Sequence, residues 1–157
     1  MTHSPLLIRL AEDDDDFILA LVPRLADFAL PPWRRRHECI AGIRKDLYQQ
    51  LDEPAANNFL FVAENADGER VGFIELRKTQ DFFTGRTNCH INNVVVDPRH
   101  EGRGFGKALL AHAETWAREH HCALVTLAVF PGNERALAMY ESCGYATDLL
   151  RLAKPVA

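Results

Sequence analysis

A glycine-rich turn at residues 102–106 joins a short apolar run to an amphipathic pattern. The apolar run, residues 94–96, consists of three valines and is typical of the buried end of a strand, which an Asp-Pro pair terminates. From Lys107 onward, apolar residues recur at helical spacing. A turn that opens a helix leaves several backbone N–H groups unpaired at the positive end of the helix dipole. The sequence therefore predicts an anion site, usually for phosphate, beside the positive charges of Arg103 and Lys107.

The spacing of the glycines narrows the class of phosphorylated ligand. A P-loop has a glycine, four residues and then Gly-Lys-Ser/Thr, but Glu101 and Ala108 stand at the first glycine and at the hydroxyl position. A dinucleotide fingerprint has the order G-x-G-x-x-G, whereas the order here is G-x-G-x-G. Both nucleotide motifs fail, and another phosphorylated cofactor is expected.

The segment from Glu101 to Gly106 resembles the acetyl-CoA loop of the GNAT superfamily of acyl-CoA-dependent N-acyltransferases, commonly written Q/R-x-x-G-x-G/A. It departs at the first position, where Glu101 replaces Gln or Arg. Because the backbone donates most of the pyrophosphate contacts in that family, this departure bears on affinity. The resemblance implies acetyl-CoA as co-substrate and no metal. The predicted cofactor-binding residues are Val94, Val95, Val96, Gly102, Arg103, Gly104, Phe105, Gly106, Lys107 and Asn133.

A second signature of the same family, N-x-x-A-x-x-x-Y followed by Gly and an aromatic residue, begins at Asn133. In the family its tyrosine stands beside the cofactor sulfur, so Tyr140 is expected to act as general acid. The reaction implied is direct attack of a primary amine on the bound acyl thioester. The leaving thiolate, with a parent pKa of about 8.5, benefits from a proton. The alternative interpretation of Tyr140 is a core aromatic residue with its hydroxyl at the edge.

The candidate general base lies on the valine strand. The family commonly has a Glu four residues before the apolar triplet, and counting back from Val94 gives His90. Strand alternation predicts that His90, Asn92 and Val94 share one face. His90 is therefore expected to take the proton of the amine, directly or through a water held with Asn92. A satisfied histidine covered by the adjoining loop is the alternative.

The acceptor pocket is predicted to lie between two irregular regions, the segment joining the first two helices and the loop before the valine strand. In the family's fold these regions face the open end of that strand. The predicted substrate residues are Trp33, Arg34, Glu75, Asp81, Phe82 and Asn92. The two acidic residues would attract a cationic amine, although the aromatic pair at Phe82 equally suits a role in covering the edge of the core. The acceptor is a small-molecule or peptide amine; polyamine, aminoglycoside, amino acid and protein terminus all remain open.

Periodicity and turn residues predict the elements that hold these positions. Strands are expected at Leu6–Leu10, Phe59–Glu64, Arg70–Lys78, Asn88–Val96, Ala123–Phe130 and Tyr145–Leu152. Helices are expected from Phe17 with a break at Pro23, from about Trp33 or Arg34 to Leu51, from Lys107, and after Asn133. With the resemblance, this gives an α/β fold (α+β mixed sheet) of about six to seven strands, mostly antiparallel with one central parallel pair, and four helices packed on the two faces.

Composition bounds the class of protein. The 157 residues suit a single domain over residues 1–157, and the formal net charge of −4 gives no electrostatic case for nucleic acid. No apolar stretch approaches the roughly 18 residues of a membrane span, and the N-terminus lacks a signal-peptide layout, so a cytoplasmic protein is expected. The four cysteines show no C-x-x-C spacing. The sequence leaves open whether the protein is a homodimer. The alternative function is a non-catalytic acyl-CoA binding or sensing module.

Overall fold

The computed structural model describes residues 5–157, which form one mixed five-stranded sheet in the order β1-β2-β3-β4-β5. The first four strands pair antiparallel, and β5 runs parallel to β4. This confirms the predicted α/β class with one parallel pair. The pair lies at the edge of the sheet rather than at its centre, because residues 145–152 add no strand beyond β5. The strands are β1 (Leu7–Leu10), β2 (Asn58–Glu64), β3 (Arg70–Gln80), β4 (Thr87–Val96) and β5 (Val125–Leu127).

Four α-helices cover the two faces of the sheet, as predicted. They are α1 (Asp15–Ala20), α2 (Arg36–Asp52), α3 (Phe105–Glu119) and α4 (Glu134–Ser142). Pro23 ends the first predicted helix early, because proline lacks an N–H and clashes with the preceding turn. The chain continues instead as a 3-10 helix over Val22–Ala26, with the proline near its start.

Two apolar clusters fix the layers. The first packs β3 and β4 residues such as Ile74 and Ile91 against Leu109 of α3, and it includes Tyr140 of α4. The second packs Val62, Phe73 and Val95 against α1, the 3-10 helix and α2. Each fully buried aliphatic side chain contributes roughly 1.5–3 kcal/mol. The sheet therefore has an α3 face and an α2 face, held by separate clusters.

The C-terminal part of the sheet is smaller than predicted. Residues 145–152 form no strand, and β5 covers three residues rather than Ala123–Phe130. A strand is stabilised by ladder hydrogen bonds and by neighbours on its faces, and β5 offers only a three-residue edge for pairing. Leu149, Leu150 and Leu152 accordingly remain exposed. The prediction of six to seven strands was wrong for residues 5–157, which contain five.

A bulge divides β4 into two parts. Glu75 pairs with Asn93 and Leu76 with Ile91, which leaves Asn92 as an extra residue opposite β3. Before the bulge, Ile91 faces the α3 cluster; after it, Val94 and Val96 do so. The prediction that Val94 shares a face with His90 and Asn92 was therefore wrong, because an extra residue inverts the alternation.

The pairing of β4 with β5 stops immediately before this bulge. It joins residues 89–91 to residues 125–127, and β4 then continues to Val96 without a strand on that side among the described residues. β5 ends at Leu127, opposite Ile91, so the sheet has a gap beside the valines of β4. This gap leads to the glycine turn that follows β4.

Candidate active site

The glycine turn adopts the backbone conformation that its sequence predicts. Gly102 and Gly104 have φ values of 76° and 81°, in the left-handed region that side chains disfavour. Gly104 caps the start of α3, which begins at Phe105 rather than at the predicted Lys107. A Cβ at either glycine would meet nothing within 4 Å. Backbone N–H groups at the start of α3 thus border open space, which suits an anion.

A groove of about 310 Å³ lies along this turn. Every predicted cofactor-binding residue lines it except Arg103, whose Nη1 lies 3.3 Å from Nδ1 of His100 instead. Residues from β4, the turn and α4 therefore meet in one cavity. The predicted residues in the lining are Val94, Val95, Val96, Gly102, Gly104, Phe105, Gly106, Lys107 and Asn133; the others are Arg24, His100, Glu101, Arg135, Ala136 and Met139.

Asn133 closes one side of the groove by beginning α4. Its Oδ1 accepts a hydrogen bond from the Ala136 N–H at 3.4 Å, which is an N-cap. The turn before Asn133 packs closely against the segment between α1 and α2, since a Cβ on Gly132 would clash with the carbonyl oxygen of Ala29. Only glycine permits this approach, which ties the segment between α1 and α2 to the start of α4.

Sequence reasoning missed two arginines in the groove. Arg24, from the 3-10 helix, and Arg135, from α4, both form ion pairs with Glu101, the second at 2.9 Å. Glu101 is the residue that departs from the family motif. The unusual carboxylate was visible in the sequence, but nothing local indicated its partners, since they lie 77 and 34 residues away.

Tyr140 lies beneath the groove rather than in its lining. The residue is 8% exposed within the α3-face cluster, and its ring centroid is 6.0 Å from that of Tyr145. Its hydroxyl makes no hydrogen bond to any group in residues 5–157. Burial raises the pKa of Tyr140 above 10.0, so the phenol is protonated at neutral pH. A proton donor is thus available on the helix that contributes Ala136 and Met139 to the groove.

His90 lies on the α2 face, opposite Tyr140. Its Nδ1 is 2.8 Å from the Thr126 hydroxyl, and Arg77 stands beside it on β3. Burial, and then the positive charge of Arg77, lower the pKa of His90 below 6.5. The imidazole is therefore neutral at pH 7 and able to accept a proton.

A buried polar network occupies the same face. Glu75 is 0% exposed, and its carboxylate accepts hydrogen bonds from Asn58, Asn92 and Asn93 at 2.8–2.9 Å. Asn92 also points its amide at Asp46 of α2, at 3.4 Å. Glu75 was predicted to attract a cationic amine directly, but three amides cover its carboxylate and leave no exposed surface for that contact.

The residues predicted to border the acceptor lie in two separate places. Trp33 and Arg34 line a second groove of about 450 Å³ with Phe130. Phe82 is 91% exposed at the tip of the β3–β4 hairpin, and the Asp81 carboxylate accepts hydrogen bonds from the N–H groups of residues 83 and 84. Those hydrogen bonds, with one from Asn88, lower the pKa of Asp81 below 3.8. The hairpin tip contributes to neither groove.

Two further properties concern the described part of the chain only. Between residues 5 and 157, no group of three or more His, Cys, Asp and Glu side chains is arranged to hold a metal ion. Within the same residues, each helix falls short of the length and apolar character that crossing a membrane requires.

A mixed sheet whose parallel pairing ends beside a glycine turn that opens a helix is the architecture expected of an acyl-CoA-dependent transferase. The sequence profile of the acetyltransferase (GNAT) family matches residues 22–145, so the chain belongs to this family and is an acetyl-CoA-dependent acyltransferase.

Named relatives agree with this class. The chain is 30% identical over 117 residues to aminoglycoside N(6′)-acetyltransferase type 1 of Stenotrophomonas maltophilia, covering 67% of this chain and 76% of the relative. It is 32% identical to streptothricin acetyltransferase of Streptomyces lavendulae over 58% of this chain, but spans only 46% of that protein. A solved structure from Pyrococcus furiosus superimposes with a TM-score of 0.78 at 26% identity, covering 97% of this chain and 100% of the other.

Proposed function

We propose that this enzyme transfers the acetyl group of acetyl-CoA to a primary amine by direct attack. The observation that carries the proposal is the groove that runs from the glycine turn to residues 94–96, where β4 continues past the end of β5. The N–H groups at the start of α3 would hold the diphosphate of the substrate, and Lys107 adds a positive charge. The unpaired side of β4 offers backbone groups to the pantetheine arm and to the thioester carbonyl.

The gap beside the valines of β4 gives the reaction two sides. The groove lies against α3 and α4, whereas His90 and the network around Glu75 lie on the α2 face. The amine would approach from the α2 face and the thioester from the α3 face, and they would meet in the gap between the strands. The acceptor nitrogen then forms a bond to the acetyl carbon as the carbon–sulfur bond breaks.

The two candidate catalytic residues have protonation states that suit opposite tasks. The lowered pKa of His90 leaves its imidazole free to accept the amine proton, directly or through water. The raised pKa of Tyr140 keeps its hydroxyl protonated, so that it can donate to the leaving thiolate. One proton is taken up and one is delivered, which balances the transfer.

For the acceptor we propose a small amine that carries a carboxylate or phosphate, bound in the second groove beside Trp33. Arg34 and Arg35 both line this groove, whereas Glu38 is its single acidic residue. Glu38 lies 3.9 Å from Arg35, and Arg34 makes no ion pair within residues 5–157. This positive balance repels a polycation, so the aminoglycoside acceptor that the first relative's name gives is expected to be a poor substrate here.

The experiment is a CoA-release assay with acetyl-CoA and a panel of amines: amino acids, amino-sugar phosphates, polyamines and aminoglycosides. We expect turnover with an anionic amine, and a raised KM for that acceptor in Arg34→Ala with unchanged affinity for acetyl-CoA. Turnover restricted to the polycations would contradict the assignment of acceptor class. Binding of acetyl-CoA without CoA release for any amine would favour the sensing module.

A further inference from the structure

Glu101 places a negative charge in a groove that otherwise suits an anion. It stands directly before the turn and lines the same cavity as Gly102 and Gly104. A carboxylate there repels a diphosphate unless its charge is compensated. Arg24 and Arg135 supply that compensation, one on each carboxylate oxygen, and both line the groove themselves. The three side chains together carry a net charge of +1.

The positions of the two arginines are not explained by their contacts within the protein. Arg135 is the second residue of α4, where a positive charge opposes the helix dipole. Its side chain is 72% exposed, so it packs against little. Arg24 has a buried Nε that makes no hydrogen bond among the described residues. Each guanidinium therefore retains donors beyond those that Glu101 and, for Arg24, Asp27 occupy.

We propose that Arg24 and Arg135 bind the diphosphate of the acyl-CoA substrate, and that Glu101 is the positioning residue that holds both guanidinium groups beside the glycine turn. The planar fork of an arginine can donate to a carboxylate on one side and to a phosphate oxygen on another. The positive charge that an arginine at position 101 would bring is thus supplied from two other elements. This inference rests on the proposed function, because it assigns residues to the same groove.

The decisive experiment is a double-mutant cycle on Glu101 and Arg135, read by calorimetry with acetyl-CoA. Arg135→Ala is expected to weaken binding about tenfold, in the range of one charge-assisted hydrogen bond. The same substitution is expected to weaken binding by a similar factor in Glu101→Gln protein. If Arg135 only neutralises Glu101, its loss has no effect once residue 101 is uncharged, and that outcome overturns the proposal.

Two controls separate this result from general charge effects. Arg118→Ala removes the same charge from an exposed position in the last turn of α3, away from the groove, and should leave affinity unchanged. Repeating the cycle with 3′-dephospho-CoA should reproduce the loss, because that probe keeps the diphosphate. Loss of the effect with this probe would assign Arg135 to the 3′-phosphate and overturn the diphosphate assignment.

Arg24 is tested by Arg24→Gln, which removes the charge but keeps a shorter side chain that can still donate a hydrogen bond. We expect about tenfold weaker binding of acetyl-CoA; unchanged affinity would remove Arg24 from the site. Failure of the proposed function looks different: the unsubstituted protein would show no heat of binding with acetyl-CoA, or would bind it without releasing CoA in the presence of any amine. If the unsubstituted protein binds acetyl-CoA but Arg135→Ala has no effect in Glu101→Gln protein, only the further inference is rejected.

Discussion

Replacement of Gly104 by alanine separates the conformational role of the glycine turn from its role in binding. Gly104 has a φ of 81°, and a methyl group at this position would have no neighbour within 4 Å. The substitution therefore introduces no clash with the protein, and its effect on folding is the strain of the left-handed backbone. That strain is about 1–2 kcal/mol for a residue with a Cβ.

Gly68 provides a matched control in the turn between β2 and β3. Its φ of 77° is nearly the same, and a Cβ there also meets nothing within 4 Å. Gly68→Ala should therefore lower the free energy of unfolding by a similar amount, about 1–2 kcal/mol. For a chain of this size, that difference lowers Tm by roughly 2–8 °C.

The two variants should differ in binding. The new methyl in Gly104→Ala stands in the groove, where the diphosphate must approach the backbone closely, so affinity for acetyl-CoA should fall at least tenfold, or about 1.4 kcal/mol. Gly68→Ala should bind as the unsubstituted protein does. Urea unfolding and calorimetry on both proteins measure the two effects. Unchanged affinity in Gly104→Ala, or an equal loss in both variants, would refute the placement of the diphosphate.

Three further outcomes are expected. Tyr140→Phe should lower kcat by roughly 10² with cofactor affinity unchanged. The control Tyr145→Phe removes a buried hydroxyl that has no partner in residues 5–157, and it should leave kcat unchanged. An unchanged kcat in Tyr140→Phe would show that Tyr140 is a core residue and not the general acid. Because the pKa of His90 is lowered by burial and by Arg77, the acidic limb of kcat/KM should lie below pH 6.5, and His90→Ala should abolish it in a pH–rate profile. Asp14→Ala should lower the free energy of unfolding by about 1.5–3 kcal/mol in urea, since Asp14 is 3% exposed and accepts a charge-assisted hydrogen bond from Arg9 at 2.7 Å, while Arg9 keeps its ion pair with Glu64. Burial raises the pKa of Asp14, but hydrogen bonds from Arg9 hold it below 3.8 on balance, so this stability is present above pH 3.8 and is lost as the pH falls through the lowered value.

The parts of the site that were predictable from the sequence are those with local causes. Glycines at φ near 80°, the cap at Asn133 and the start of α3 depend on residues within a few positions of one another. The valines of β4 were identifiable because β-branched runs favour buried strands. Local patterns were therefore enough to associate the turn, the end of β4 and the start of α4.

The features that sequence reasoning missed depend on distant partners. The bulge at Asn92 exists only in the pairing of β3 with β4, and the ion pairs of Glu101 join three separate elements. Residues 145–152 have apolar side chains that favour a strand, but strand formation also needs a partner edge. Trp33 and Phe82 were grouped by their irregular surroundings, which say nothing about the distance between two loops.

The bulge at Asn92 determines which single-residue deletions β4 tolerates. Removing Asn92 alone would make Asn93 follow Ile91 directly, so that β3 and β4 pair without a gap and every remaining side chain keeps its present face. Removing Asn93 instead would restore the same alternation, because both asparagines project toward Glu75. Removing a residue elsewhere in the strand interior would turn part of the strand inside out. Because bulges bend and twist a strand, the shortened strand would run straighter past the end of β5 and change the shape of the gap beside Val94. The deletion would also remove one of the three amides that donate to the buried Glu75 carboxylate, so it preserves the facing of the strand at a cost in stability.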